Sequence, residues 1–362
     1  MGKTDVLREA FIDLYAVPRM TEARLRRLLE RFGEPEEILK AGSHDIVEID
    51  GIDSELAAAI SSYRRSSETD KRIKNAKSLG VKTVSYQDEG FPANLKELKQ
   101  MPPVLFVRGE VKDDDRLAIA IVGTRRLTYY GRQVAEKLAW KLAQHSVTVV
   151  SGLARGIDTW AHRGALAAGG RTLAVLGCGI DVYYPPENQK LYENISEHGA
   201  VLSEFTLGME PLAMNFPKRN RIVSGLSKGV VAVEAGERSG VLNTVAWAAD
   251  QGRDVFAVPG RIIDRTSVGT NRLLRDGARI VTSAKDILQE LGVALHLEER
   301  AKISVAEDEK PVLEFLSGDP LHVDEICQGL GIPMAKLLGV LMQLEVKGLV
   351  RQLPGKFFVK RI

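Results

Sequence analysis

Leu117-Ala118-Ile119-Ala120-Ile121-Val122-Gly123-Thr124-Arg125-Arg126 runs six apolar residues straight into a glycine and two arginines. A half-exposed strand would alternate apolar with polar; an unbroken run predicts a strand covered on both faces. The pattern repeats along the chain at Val147–Val150, Thr172–Leu176, Val201–Ser203, Gly229–Val233, Asp254–Val258 and Arg279–Val281. Helical stretches such as Gly131–Gln144, Asp158–Ala168 and Leu242–Gln251 lie between them. Strands alternating with helices predict a Rossmann-like parallel sheet. The fold class is therefore α/β, with this core over 117–291.

In such a sheet ligands bind beyond the carboxyl ends of the strands, and the residues there are small or cationic. Gly123-Thr124-Arg125-Arg126 follows the first strand, Ser151-Gly152-Leu153-Ala154-Arg155-Gly156 the second and Gly177-Cys178-Gly179 the third. Glu234-Ala235-Gly236-Glu237-Arg238-Ser239-Gly240 follows Val233. Glycines let a phosphate approach the backbone, helix starts offer free N–H groups, and arginines offer forked donors, so these turns predict a phosphate site. The densest basic cluster is Phe216-Pro217-Lys218-Arg219-Asn220-Arg221. It is suited to tracking a single strand and stacking on a base. Cations in a first helical turn oppose the helix dipole, which leaves the cluster without an evident structural purpose. No P-loop and no Gly-x-Gly-x-x-Gly occurs, which disfavours nucleotide hydrolysis of that type and NAD. Asp158 is expected to support the second turn and His162 to be structural. Neither a catalytic triad nor a metal-ligand spacing emerges, so no catalytic residue, metal or cofactor is expected.

Outside this core, residues 1–80 read as a small domain of short helices. The glycine-containing turn Ile49-Asp50-Gly51-Ile52-Asp53 has the shape of a helix-hairpin-helix (SAM-like) unit, beside the plainer reading of a helical packing domain. Residues 81–116 read as an extended connector with a short strand at Val104-Leu105-Phe106-Val107, and the charged stretch 292–310 as a linker. Residues 311–362 predict helices at Pro311–Leu316, Val323–Leu330 and Met334–Lys347, then a hairpin. That is a winged-helix pattern.

The whole chain has 362 residues, 44% hydrophobic and 27% charged. This is an ordinary globular composition divided over several domains. Its net charge of +2 predicts no general affinity for polyanions, so any nucleic-acid site must be local. The apolar runs are too short for a membrane span and the N-terminus lacks the apolar stretch of a secretory signal. With only Cys178 and Cys327, a reduced, cytoplasmic setting is expected.

Ile121-Val122-Gly123-Thr124-Arg125-Arg126, Ser151-Gly152-Leu153-Ala154-Arg155-Gly156-Ile157-Asp158, Tyr184-Pro185-Pro186-Glu187-Asn188 and Phe216-Pro217-x-Arg219-Asn220-Arg221 resemble the DNA-processing protein DprA (Smf) family in order and spacing. The resemblance implies a non-enzymatic homodimer that binds single-stranded DNA and helps load the RecA recombinase in natural transformation. It implies that Arg125 grips phosphate on a turn shaped by Gly123, Ser151 and Gly152. Lys218, Arg219, Asn220 and Arg221 would line the pocket, with Phe216 near a base; Thr124, Arg126, Arg155, Ser239 and Gly240 complete the expected DNA-binding set. Two alternatives stand beside this. Glu234 and Glu237 near a glycine-rich turn suit a nucleotide phosphoribohydrolase. The winged helix suits a duplex-binding regulator, although residues 311–362 carry only six Lys/Arg against five Asp/Glu, a weak basis for phosphate neutralisation.

Overall fold

The computed structural model describes residues 7–293 and 305–360. They fall into two compact units, drawn from Met1–Arg126 with Ala135–Val293 and from Leu127–Val134 with Ala294–Ile362.

The first unit opens with α1 (Glu9–Ala16), α2 (Glu22–Phe32), α3 (Pro35–Lys40), α4 (Ser43–Val47), α5 (Ser54–Ser61) and α6 (Ser67–Ser78). Side chains start three of them: Thr21, Asp53 and Ser66 accept from the backbone N–H groups of Arg24, Leu56 and Thr69, which satisfies donors that a helix start leaves free. Phe11, Leu14, Leu25, Leu28, Ile38 and Leu56 form their core. The turn between α4 and α5 carries Gly51 at φ +79°, in left-handed space that glycine enters without strain. Arg27 and Arg24 of α2 donate to the carbonyls of Asp50 and Gly51, so α2 packs directly onto this turn.

The sheet begins earlier in the chain than the sequence pattern places it. Residues 81–116, expected as a connector, supply β1 (Lys82–Ser85), the short α7 (Ala93–Lys96) and β2 (Val104–Gly109). Both strands run antiparallel on one flank, β1 on β2 and β2 on β6, and Phe106 is fully buried. Local pattern indicates the short apolar strand at Val104–Val107 but not the tertiary pairing that makes β1 and β2 part of the sheet.

The parallel part contains β3 (Ala118–Val122), α8 (Tyr129–Gln144), β4 (Thr148–Ser151), α9 (Ile157–Ala167), β5 (Thr172–Val175), α10 (Gln189–His198) and β6 (Ala200–Ser203). It continues with α11 (Asn215–Gly225), β7 (Gly229–Ala232), α12 (Gly240–Asp250), β8 (Asp254–Ala257), α13 (Val268–Arg275), β9 (Arg279–Ile280) and α14 (Ala284–Glu290). The nine strands lie in the order β1-β2-β6-β5-β4-β3-β7-β8-β9. After β3 the chain builds outward through β4, β5 and β6, then returns through α11 to lay β7 on the other side of β3. That reversal opens a crevice at the carboxyl ends of β3, β4 and β7.

Besides Leu127–Val134, which includes the start of α8, the second unit holds the winged helix: α15 (Lys310–Phe315), β10 (Leu321–His322), α16 (Val323–Leu330), α17 (Met334–Val346), β11 (Val350–Leu353) and β12 (Phe357–Lys360). Gly331 at φ +63° ends α16 and Pro333 precedes α17, a sharp stop and restart. The three strands pair as β10-β12-β11; β10 is too short for the sequence pattern to indicate. Most of the expected linker, 294–304, lies outside the described residues. At its end Glu309 is buried and bonded to Lys347, and Lys310 already begins α15.

Candidate nucleic-acid interface

A cleft of about 230 Å³ occupies the crevice, walled by the turns after β3 and β4, by one face of α11 and by the start of α12. Nine of the expected residues meet there: Gly123, Thr124, Arg125, Gly152, Phe216, Arg219, Asn220, Ser239 and Gly240. The Trp247 indole of α12 donates to the carbonyl of Pro217 (3.3 Å), which ties the two helices together beside the cleft.

The glycines have a different reason from the one expected. A Cβ on Gly123 would collide with the side chain of Ile157, and one on Gly152 with the guanidinium of Arg219. Gly156, at φ +86°, would drive a Cβ into the carbonyl oxygen of Thr124. These glycines make room for the protein's own atoms. Gly240 alone among the cleft glycines has open space at its Cβ position. It stands at the start of α12, where the helix dipole favours an anion, with the Val241 N–H capped by the Ser239 hydroxyl (3.3 Å) and the Leu242 N–H on the Ser239 carbonyl (3.1 Å).

Asp158 supports the second turn as expected, its carboxylate accepting from the N–H groups of Gly152 (3.2 Å) and Ala154 (3.4 Å). Burial raises its pKa, opposed by the charge of Arg219 and by those two N–H groups, since each of these favours the charged form. Arg219 is only 4% exposed and donates to the carbonyl of Val175, while its Nε has no partner. Burial pushes its guanidinium below the ordinary range, with Asp158 acting the other way. His162 is buried against the hydroxyl of Thr172 (2.7 Å); burial, assisted by Arg219, holds its pKa at about 3, so it is a neutral packing residue.

Five expected residues stand outside the cleft. Ser151 is buried and donates to the carbonyl of Ile121 (2.6 Å), fastening β4 to β3. Arg126 is exposed away from it. Arg155 pairs with Glu187 (3.0 Å). Lys218 and Arg221 lie on the opposite side of α11, because Phe216, Arg219, Asn220 and Val223 take the cleft face at the spacing of one helical face. Lys218 is exposed and Arg221 is buried against Glu204, so the single groove expected from the 218–221 cluster is divided by the helix that carries it. Burial pushes the Glu204 carboxyl up to about 7, against the pull of Arg221. Two of the cluster's cations therefore do have structural counterparts, Asp158 for Arg219 and Glu204 for Arg221.

The cleft mouth is aromatic and cationic. The Arg125 guanidinium lies over the Phe216 ring at 4.9 Å, a cation–π arrangement. Phe216 meets Tyr184 with centroids 5.7 Å apart, and Arg155 lies over Tyr184 at 5.9 Å. Tyr184, Asn243 and Thr244 are site residues that the sequence reading does not include. Asn243 and Thr244 follow Gly240 by three and four residues, a spacing that places them on its face of α12. Asn243 accepts from the side-chain amide of Asn220 at 3.2 Å. Glu234 is buried and Glu237 exposed, and neither borders the cleft. Among the described residues no cluster of three or more His, Cys, Asp or Glu side chains could hold a metal, and no single helix is long and apolar enough to cross a membrane.

A mostly parallel α/β sheet with a cationic cleft at its switch point, followed in the chain by a winged helix, defines a modular α/β protein whose ligand site lies at the strand ends. Similarity to known proteins narrows this class. Residues 82–292 match the family model described as DNA recombination-mediator protein A, and 297–356 match the DprA winged helix domain. The chain belongs to the DNA recombination-mediator protein A (DprA/Smf) family. It is 39% identical to protein Smf of Escherichia coli over 279 residues, 74% of this chain and 75% of that one. It is 44% identical to DNA processing protein DprA of Streptococcus pneumoniae over 206 residues, 57% of this chain and 73% of that one. The solved structure of DprA from Streptococcus pneumoniae has a TM-score of 0.69 at 34% identity, covering 80% of this chain and 100% of its own. DNA processing protein A from Helicobacter pylori, solved for its single-stranded DNA binding mode, has a TM-score of 0.54 at 32% identity and covers 60% and 97%.

Proposed function

We propose that the chain binds single-stranded DNA in the switch-point cleft, protects it, and presents it to a RecA-type recombinase during DNA uptake. The observation that carries this reading is the meeting of exposed Arg125, the buried charge of Arg219 and the N-terminus of α12 beside the Phe216 ring. Cations and a helix start suit phosphates, and a ring suits a base. The single-strand binding described for the Helicobacter pylori relative supports it. The protein acts as a cytoplasmic homodimer. Support for the dimer comes from the exposed side chains of Ile262 and Ile263, in the loop that leaves β8, and of Ile280 on the edge strand β9. A second copy would cover such an apolar edge. Glu234 and Glu237 lie away from the cleft and the Asp158 carboxylate is committed to two N–H groups, which weighs against the phosphoribohydrolase alternative.

Binding of oligothymidylate and of duplex DNA across a salt series tests the reading. Two or three phosphate contacts give a slope of roughly −1.4 to −2.1 in log K against log salt, and Arg125→Ala makes it shallower by about 0.7. Equal affinity of folded Arg125→Ala and unaltered protein for the single strand overturns the site.

A further inference from the structure

The cleft is lined by Arg125 and Phe216, while Tyr184, Arg155 and Glu187 stand at its mouth outside the lining. These residues repeat its chemistry next door. Arg125 lies over Phe216 at 4.9 Å, and Arg155 lies over Tyr184 at 5.9 Å. The two rings meet at 5.7 Å with their planes 49° apart. Each pair is an arginine lying over an aromatic ring, the combination on which unstacked bases are held while the guanidinium reaches a phosphate.

The pairs differ in one respect. Arg155 is engaged by Glu187 in a bidentate pair, Nε on one carboxylate oxygen and Nη2 at 3.0 Å from the other, and their side chains are 50% and 54% exposed. Two-pronged geometry makes this pair stronger than most at a surface, but with both side chains half exposed water still screens it and its net contribution stays small. A phosphate is a better acceptor for a guanidinium fork than a screened carboxylate. Glu187 thus stands where a phosphate oxygen would engage the same fork.

We infer that Tyr184 and Arg155 form a second nucleotide seat beside the cleft, and that Glu187 is an anionic gate that the strand's phosphate displaces. The inference rests on the single-strand reading above and extends it to one further nucleotide. It assigns Tyr184 a base-stacking role and makes Glu187 an antagonist of binding.

The test is affinity of the full chain for oligothymidylates of graded length, with Arg125→Ala as reference. Glu187→Gln keeps a hydrogen-bonding side chain and removes the competing charge, so long strands should bind about threefold more tightly. Tyr184→Leu should weaken long strands about fivefold at an unchanged salt slope, and Tyr184→Phe should restore them. Irradiation of unaltered protein with 5-iodouracil-substituted strands should attach Tyr184, as read by mass spectrometry. Unaltered or weaker binding by Glu187→Gln overturns the gate, and full binding by Tyr184→Leu, or no attachment at Tyr184, overturns the seat. Where Arg125→Ala still weakens binding, those failures leave the primary site standing. An Arg125→Ala protein that binds fully removes both readings together.

Discussion

Arg125, Arg219 and Arg221 carry the same guanidinium into three different roles, set by burial. Arg125 is exposed over a ring, Arg219 is buried beneath Gly152, and Arg221 is locked to Glu204 behind α11. Arg221→Ala should therefore act on stability and leave the salt slope of DNA binding unchanged. The pH dependence is specific. Glu204 has a folded pKa of about 7 against an ordinary value of 4.5, so the folded state holds the proton more tightly. Its favourable contribution is complete below about 4.5 and is lost as pH rises through about 7, as linkage requires. Without Arg221 the carboxylate loses its main counter-charge, keeping only the weaker pull of Lys218, and its pKa rises further, so the loss extends above pH 7. Denaturant unfolding should show Arg221→Ala destabilised by on the order of 3 kcal/mol at pH 8 and by much less at pH 5. Equal destabilisation at both pH values would contradict this account of the pair.

At the scale of elements, the site depends on α11 having two working faces and on tight turns after β3 and β4. Its cleft face carries Phe216, Arg219 and Asn220, and its other face seals the unit through Arg221. The turns separate glycines needed for folding from the one left open to ligand. Gly156→Ala forces a Cβ against the Thr124 carbonyl at a left-handed φ. It should cost about 1–3 kcal/mol and lower the melting temperature. Gly240→Ala places its methyl in open space. Its stability should change by no more than about 0.5 kcal/mol, while the methyl beside the α12 N–H groups weakens DNA binding. Thermal unfolding and anisotropy on the same two variants check both halves. Reversal of the two effects would show that Gly240, rather than Gly156, is the structural glycine.

Over the whole molecule a net charge of +2 makes affinity a matter of placement, and the cleft belongs entirely to the first unit. A chain ending after about residue 291 should stay folded and bind single strands within about threefold of the full protein, since its phosphate contacts are intact. The outer face of α17 supports this division: Leu338, Met342 and Val346 are exposed at successive turns, an apolar stripe poorly suited to duplex phosphates. Circular dichroism and single-strand titration of the shortened chain give the answer. Loss of most of the affinity would move the binding surface into the winged helix.

The run Leu117–Val122 and its repeats were sufficient for the parallel sheet, because strands buried on both faces must be apolar at every position, and that is a local property. The winged helix was legible for the same reason, through helical period and the Gly331 and Gly355 turns. Small residues after β3 and β4 and at the start of α12 lie along the edge that holds the cleft. The sequence did not reveal that β1 and β2 complete the sheet, since edge pairing depends on what lies opposite. Nor could it separate Arg219 and Arg221, two positions apart, into a cleft wall and a buried ion pair. A run of cations reads as one patch until a helix turns its members to different sides. Burial then decides which charges are paired with Glu204 or lie near Asp158 and which, like Arg125, stay open to a phosphate.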